Sequence, residues 1–516
     1  MARLPVSSNR STILHLESRS KELQTIVPGA HGSLQTDARP RDDDDDRFHE
    51  ECAVIGVVGH PEAAKYCYLG LYAMQHRGQE GAGIVSTDAT HMLAYRGVGL
   101  VADVFDETSL ERLAGTSAIG HARYATYGGK DWENVQPFSA NFGENSFAIA
   151  HNGNLVNADA LRTELEQKGA IFSTTSDSEV ILHLIAHATS QPTIPEKIEA
   201  AMKRLQGAFS LVVIGLNRIV AVRDAHGVRP LSLGRIGDGY VVASETCAFD
   251  LIGAEFVRDI EPGEMLEIRF DGTLSSKKIL HADPAALCVF EYIYFARPDS
   301  AIDGRDVYLA RKQLGVELAR EHPAEADLVI PVPDSGVPAA LGYAQEVGLP
   351  MEFGLIRNHY VGRTFIEPQQ SIRDFGVKIK LNANRKFLEG KRVVVVDDSI
   401  VRGTTSRKIV KMLRSAGATE IHFRVSSPPT VGPCYYGIDT PSKSELIAST
   451  HTVEETESYL EVDSLAYLSL DGVYRAVGGI RQNHCDACFS GNYRLGTIPD
   501  GAGCGMHIER VNGPNR

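Results

Sequence analysis

Val393-Val394-Val395-Val396-Asp397-Asp398-Ser399-Ile400-Val401-Arg402-Gly403-Thr404-Thr405-Ser406 reads as a strand, a turn and the start of a helix. An unbroken β-branched run predicts a central strand of a parallel sheet, buried on both faces. Asp397 and Asp398 stand at its carboxyl end, where adjacent carboxylates repel one another unless something pairs with them. Ser399, Arg402, Gly403, Thr404 and Thr405 then lead into a helix. That geometry aims backbone N–H groups, hydroxyls and the helix dipole at one spot, which suits a phosphate. The carboxylates suit ribose hydroxyls and magnesium, a hard cation that takes oxygen ligands and keeps several waters. The plainer reading is a strand end with exposed aspartates and a capped helix.

Outward from this stretch, strands and helices alternate. Helix 307–321, strand 327–332, helix 336–347, strand 393–396, helix 406–416 and strand 421–425 predict a parallel sheet with ligands beyond the carboxyl ends of its strands. A second strand end, Val332-Pro333-Asp334-Ser335-Gly336, lies in this region. From about Ala476 the chain is rich in Gly, Asn and Cys and predicts no clear element.

The N-terminal half has a different rhythm. Strands 53–58, 146–151, 211–214, 219–223 and 240–244 mix with helices 63–74, 158–168, 178–188 and 194–205, and Asp271-Gly272 predicts a hairpin turn. Cys52 opens this half. By itself it reads as a buried cysteine. Three neighbouring segments add polar chemistry: Gln75-His76-Arg77-Gly78-Gln79-Glu80-Gly81, Gly120-His121-Ala122-Arg123-Tyr124-Ala125-Thr126, and His151-Asn152-Gly153-Asn154-Leu155, read as a strand-end turn. A backbone N–H and an amide at such a turn suit a tetrahedral oxyanion. Arg123 suits a bidentate grip on a carboxylate. Asp177 suits an ammonium group, although Thr175 to Ser178 is also a helix-capping signature.

Bulk properties bound the rest. The chain has 516 residues, enough for several domains, and a formal net charge of −14, which gives no general attraction to nucleic acid or anionic membrane. Its longest apolar runs, 211–216 and 393–396, are strand-sized. Residues 1–51 lack a secretory apolar core and carry five consecutive aspartates, Asp42–Asp46, which argue against an organellar transit peptide and for a disordered extension. Eight scattered cysteines are too few for a disulfide scaffold and fit a reducing compartment, hence a cytoplasmic protein. Cys485-x-x-Cys488 suits zinc, a redox pair or neither, with Cys247, Cys288, Cys434 and Cys504 as further thiol candidates.

The segments around Cys52 resemble the N-terminal-nucleophile glutamine amidotransferases, over Cys52 to about Ile268. The resemblance implies that Cys52 is the mature N-terminus and that its α-amine activates the thiol. It also implies Arg123 as the glutamine carboxylate clamp, Asn152 and Gly153 as the oxyanion hole, Asp177 as the amine anchor, and Arg77 with Gly78 in the glutamine loop. The 397–405 stretch resembles the phosphoribosyl diphosphate loop of type I phosphoribosyltransferases, and Asp334-Ser335-Gly336 their pyrophosphate loop. Asn358 to Phe365 and Arg373 to Lys380 resemble the mobile catalytic loop, with Arg363 and Lys378 as substrate-binding cations.

Together the halves resemble the glutamine phosphoribosyl diphosphate amidotransferases over most of residues 52–495. The implied fold is α/β and α+β. A leader or propeptide (1–51) precedes an N-terminal-nucleophile glutaminase sandwich (αββα) over 52–284. A type I phosphoribosyltransferase parallel-sheet domain over 285–470 and a tail over 471–516 follow. The implied ligands are glutamine, phosphoribosyl diphosphate, purine nucleotides as inhibitors, and Mg2+ at Ser335, Asp397 and Asp398. The resemblance further implies a homotetramer, and an ammonia channel with Tyr308 at a position associated with coupling the two sites. Cys288, Cys434, Cys485 and Cys488 match the cluster-containing branch and so imply a [4Fe–4S] cluster of structural role, with Zn(Cys)4 as the competing assignment. Two further readings stand beside this one. An amidotransferase making an amino sugar would need a sugar-isomerase half, which the 397–405 stretch contradicts. A regulatory phosphoribosyl-binding protein would have no use for Cys52, Arg123 and Asn152.

Overall fold

The computed structural model describes residues 23–25, 52–124, 132–142, 145–282, 284–358 and 381–496. Its N-terminal unit contains, in chain order, β1 (Leu23–Thr25), β2 (Ala53–Val58), α1 (Ala63–Ala73), β3 (Gly81–Thr87), β4 (Met92–Val98), β5 (Ser117–Arg123), β6 (Phe138–Phe142), β7 (Asn145–Leu155), α2 (Ala158–Gln167), α3 (Asp177–His187), α4 (Ile194–Met202), β8 (Gly207–Gly215), β9 (Arg218–Arg223), β10 (Ser232–Ile236), β11 (Gly239–Ala243), α5 (Cys247–Ile252), β12 (Glu255–Asp259), β13 (Glu264–Arg269) and β14 (Leu274–Lys278). Eight of the strands form one sheet in the order β1-β4-β3-β5-β2-β11-β10-β12, and six form another in the order β14-β13-β9-β8-β7-β6.

The two sheets stack face to face. Val54, Val58, Val85 and Ile119 of the first interlock with Ala148, Ala150, Val212 and Ile214 of the second. On the outer faces, α1 and α5 cover the larger sheet through Cys67, Leu71 and Phe249. The other outer face is covered by α2, α3 and α4 through Leu161, Ile181 and Ile198. This is the αββα sandwich. Alternation explains it: each strand feeds one side chain row to the middle layer and the other to a helix.

Two sequence expectations shift here. The segment 151–155 is no strand-end turn, because β7 runs on to Leu155 and stays in register with β8 from Phe147↔Gly215 to Leu155↔Gly207. Polar residues at 152–154 hid the strand, but the backbone ladder does not depend on side-chain polarity. The leader is also not wholly outside the fold, since Leu23–Thr25 pairs in parallel with Met92–Ala94.

The C-terminal unit begins at β15 (Leu287–Cys288) and a wide π-helical turn over Glu291–Phe295. It continues through α6 (Val307–Glu321), β16 (Leu328–Pro331), α7 (Val337–Val347), β17 (Arg392–Asp397), α8 (Thr404–Ser415), β18 (Glu420–Val425) and β19 (Ser464–Tyr467). The strands form a parallel sheet in the order β16-β17-β18-β19. Val393, Val394, Val395 and Val396 are fully buried, as a central strand requires. Each contributes roughly 1.5–3 kcal/mol of burial. Alternate valines serve different cores: Val394 and Val396 pack with α6 and α7, while Val393 and Val395 pack with α8.

The tail is more ordered than its composition suggests. It forms α9 (Leu470–Val477), β20 (His484–Cys485) and a single turn α10 (Ala487–Ser490). β20 pairs in parallel with β15, Cys288 opposite Cys485. Two-residue strands have no periodicity to read in sequence, so only the tertiary pairing reveals them.

Candidate active sites and the thiol group between them

Cys52 immediately precedes β2 and is buried, with its Sγ 3.5 Å from the Tyr124 carbonyl oxygen. β2 pairs with β5, so Ala53 faces Ala122 and Val54 faces His121. His121 reaches across to the other sheet, its Nε2 lying 3.0 Å from the His151 carbonyl oxygen. That contact brings β7 to the strand end that begins at Cys52. Arg123 closes β5 beside it and is buried.

Asn152 is completely buried, and neither Nδ2 nor Oδ1 has a hydrogen-bond partner. A buried amide with both ends unpaired is costly, and such groups persist where a ligand completes them. Gly153 follows with φ +142°, and a Cβ there would stand 2.0 Å from the Ala208 carbonyl oxygen. Only glycine fits. Asp177 Oδ2 accepts the Leu155 N–H at 3.0 Å, which ties the anchor carboxylate to the end of β7. The helix cap itself is Ser176, which accepts from the Ser178 N–H, so Asp177 is the first helical residue and its carboxylate is not spent on capping. Burial pushes the His121 imidazole down to about 3, so it is neutral at physiological pH.

Arg77 is placed differently from the other expected glutamine-site residues. Its guanidinium is buried against Glu245 and Glu291. Glu291 also takes Arg229 Nη1 at 3.1 Å, and all three side chains are fully buried or nearly so. Burial would raise Glu245, but Arg77 and His76 outweigh it and hold the carboxyl well below the usual range. Gly78 lies flat on β5, where a Cβ would meet the Ala122 carbonyl carbon at 2.4 Å. Arg77 and Gly78 therefore brace the join between β5 and the C-terminal unit.

At the other site, Asp397 and Asp398 are buried at the carboxyl end of β17. Asp397 Oδ1 accepts the Asp398 N–H at 3.0 Å, and Asp398 Oδ2 accepts the Ser399 hydroxyl at 2.7 Å. Gly403 at φ +79° sits immediately before α8, and the turn it makes brings Thr404 and Thr405 to the helix start. The Thr404 and Ser335 hydroxyls are buried without partners. The turn that carries Ser335 leaves the sheet next to the end of β17, since the Val332 N–H donates to the Val396 carbonyl oxygen at 2.9 Å. Arg402 donates to Glu445 at 2.9 Å. Arg363 and Lys378 lie outside the described residues, as do Ala125, Thr126 and Cys504.

The four expected cluster cysteines come together between the units. Burial pushes Cys485 up to about 12, and the nearby Cys434 thiol adds to it. Cys288 and Cys488 are likewise pushed well above the ordinary thiol value by burial, with the other thiols of the group adding to it. Backbone bonds fix them: the Val289 N–H donates to the Cys485 carbonyl, and the Val431 and Gly432 N–H groups donate to the Cys488 carbonyl. Cys67 and Cys247 stay apart in the glutaminase core. Among the described residues no three His, Cys, Asp or Glu side chains close around a single metal ion. Nothing in the sequence marks Arg229, and nothing there gives Asn154 and Glu291 a role in this region, because their partners lie 62 to 281 residues away.

Comparison with known proteins sets these sites in a family. A glutamine amidotransferase domain profile matches residues 121–250, and a phosphoribosyl transferase domain profile matches residues 307–430. The chloroplastic amidophosphoribosyltransferase of Glycine max is 54% identical over 454 residues, covering 88% of this chain and 79% of that protein. The chain belongs to the amidophosphoribosyltransferase family. As in other amidophosphoribosyltransferases, a glutamine amidotransferase domain and a phosphoribosyltransferase domain share one chain, and the protein is an enzyme. A solved structure described as the allosteric regulatory enzyme of purine biosynthesis superposes with a TM-score of 0.83 at 50% identity, covering 86% of this chain and 96% of that one. The Bacillus subtilis glutamine phosphoribosylpyrophosphate amidotransferase, solved in complex with ADP and GMP, gives a TM-score of 0.82 at 49% identity, covering 87% of this chain and 98% of that one. Among the described residues no helix is long and apolar enough to cross a membrane.

Proposed function

We infer that this enzyme releases the amide nitrogen of glutamine at Cys52 and joins it to C1 of 5-phosphoribosyl 1-diphosphate. The products are glutamate, diphosphate and 5-phosphoribosylamine, and the reaction is the first committed step of de novo purine nucleotide synthesis. The observation that carries this reading is the pairing, on one chain, of a buried unpartnered Asn152 amide near Cys52 with a buried Asp397–Asp398 pair before a helix start.

At the first site, removal of residues 1–51 frees the Cys52 α-amine, which takes the thiol proton as sulfur attacks the glutamine amide carbon. Asn152 Nδ2 and the Gly153 N–H hold the resulting oxyanion, whose collapse breaks the C–N bond and releases ammonia with the proton from the α-amine, and one water then hydrolyses the glutamyl thioester to glutamate and the free thiol. Arg123 clamps the α-carboxylate and Asp177 anchors the α-ammonium. Arg77 and Gly78 belong to the loop that binds glutamine. At the second site, Ser399, Arg402, Gly403, Thr404 and Thr405 cradle the 5-phosphate, and Asp397 and Asp398 hold the ribose hydroxyls. Ser335 with the two aspartates is the set that fits Mg2+, which is hard and takes oxygen ligands. Arg363 and Lys378 neutralise the departing diphosphate. Ammonia is a nucleophile only when unprotonated, so a path shielded from water, with Tyr308 near it, favours transfer.

The four thiols fit a [4Fe–4S] cluster held by Cys288, Cys434, Cys485 and Cys488. A cation among the four would hold them as thiolate ligands. The role of the cluster is structural, tying the tail over 471–516 to the units at 52–284 and 285–470. Brown protein with about four irons per chain supports the cluster, and colourless protein with stoichiometric zinc replaces it with Zn(Cys)4. Purine nucleotides act as inhibitors, the working assembly is a homotetramer, and the compartment is the cytoplasm, the acidic run Asp42–Asp46 being unlike a transit peptide.

The test is diphosphate release that depends on glutamine or on ammonia, with one glutamate formed per diphosphate when glutamine is the donor. Diphosphate release with neither donor removes the proposal. Mass spectrometry of the active enzyme should find Cys52 at the amino terminus, and full activity with Met1 retained overturns the N-terminal-nucleophile step.

A further inference from the structure

The turn that carries Cys434 is gripped by the glutaminase unit at two consecutive carbonyls. Asn154 Nδ2 donates to the Tyr435 carbonyl oxygen at 2.9 Å. Arg229 donates to the next one, Tyr436, from Nε at 3.2 Å and from Nη2 at 3.1 Å. The turn is held from its own side as well, since the Tyr436 N–H donates to Cys434 Sγ at 3.3 Å and the Cys434 N–H donates to Thr440 Oγ1 at 2.8 Å. Asn154 is buried and its Oδ1 has no partner, so the Tyr435 carbonyl alone fixes which way the amide points.

Asn154 lies two residues after Asn152 on the continuous strand β7, opposite Ala208 as Asn152 is opposite Ser210. Side chains two apart on a strand project from the same face, about 7 Å from one another. The oxyanion amide and the amide that grips the thiol turn therefore share one face of one strand end. Between them Gly153 lies directly on Ala208, so the strand end has little freedom to adjust independently.

We propose that the Cys434–Tyr436 turn is a positioning element for the glutaminase, and that Asn154 is the positioning residue through which it sets the Asn152–Gly153 oxyanion donors. The proposal rests on the reading of Asn152 and Gly153 as those donors. It assigns Asn154 no contact with substrate. A shift of donors that act only on the transition state lowers kcat and leaves KM for glutamine nearly unchanged.

The test uses the processed full-length enzyme with Asn154→Ala and Asn154→Asp, the second being isosteric but offering no donor to the Tyr435 carbonyl. Displacing an oxyanion donor costs less than the ~100-fold or more seen on removing one. Both variants should therefore lower glutamine-dependent kcat about tenfold, keep KM for glutamine and the affinity for glutamate within twofold, and keep ammonia-dependent activity at the level of the unmodified enzyme. Equal loss of both activities overturns the proposal, as a general structural defect. A rise in KM at constant kcat also overturns it, as does a full glutamine rate in Asn154→Asp. The glutaminase reading fails separately, if Cys52→Ala still uses glutamine.

Discussion

Asn152→Ala should slow glutamine use and leave the fold no weaker, two effects that mutation of a buried residue seldom separates. Asn152 is fully buried and both polar ends of its amide lack partners. Each unpaired buried group costs about 1–3 kcal/mol. Alanine removes both and leaves a void of roughly 25 Å3, worth about 0.6 kcal/mol at ~24 cal/mol per Å3. The balance favours the variant by about 1 kcal/mol or more. In the reaction the sign reverses, because loss of one oxyanion donor costs about 2.7–4 kcal/mol, or roughly 100- to 1,000-fold in kcat. Glutamate release measures the second effect, ammonia-dependent diphosphate release provides the control, and denaturant unfolding measures the first. A variant that is less stable than the parent shows that the amide is paired in the resting protein. Undiminished glutamate release shows that it is not an oxyanion donor. Either result refutes the reasoning.

Gly153→Ala places a Cβ 2.0 Å from the Ala208 carbonyl oxygen, so glutamate release should vanish and unfolding should shift by at least ~2 kcal/mol. Glu291→Gln leaves Arg77 with Glu245 and leaves Arg229 with the Tyr436 carbonyl, and its loss should cost about 3 kcal/mol in the unfolding free energy, the lower end for breaking a buried ion pair. Lowering pH should weaken the glutaminase unit: His121 is held neutral down to about 3, the unfolded chain binds its proton near 6.5, and stability is lost as pH falls between those values. Denaturant midpoints across that window check it, and His121→Gln should flatten the slope.

How much was legible in the sequence depended on the range of the interactions. The Val393–Ser406 stretch encodes strand, turn and helix within one short segment, and β17, Gly403 and α8 appear where that pattern puts them. In the N-terminal half periodicity supports strands mixed with helices, and the αββα sandwich itself is what the family resemblance implies. The end of β7 did not, because Asn152, Gly153 and Asn154 carry no apolar alternation and are held as a strand by β8 alone. Arg77 was legible as a special residue but not as a partner of Glu245 and Glu291, which lie 168 and 214 residues further along. The pairing of Cys288 with Cys485 and the grip of Asn154 on Tyr435 depend likewise on contacts that only the folded chain creates.

The central claim is that one chain carries a glutaminase centred on Cys52 and a separate phosphoribosyl site centred on Asp397 and Asp398. The most direct measurement is diphosphate release by Cys52→Ala with glutamine and with ammonia as alternative nitrogen donors. Cys52→Ala should show no activity with glutamine and ammonia-dependent activity close to that of the unmodified enzyme. Glutamine use that survives the substitution contradicts it, and so does loss of both activities in a protein that remains folded.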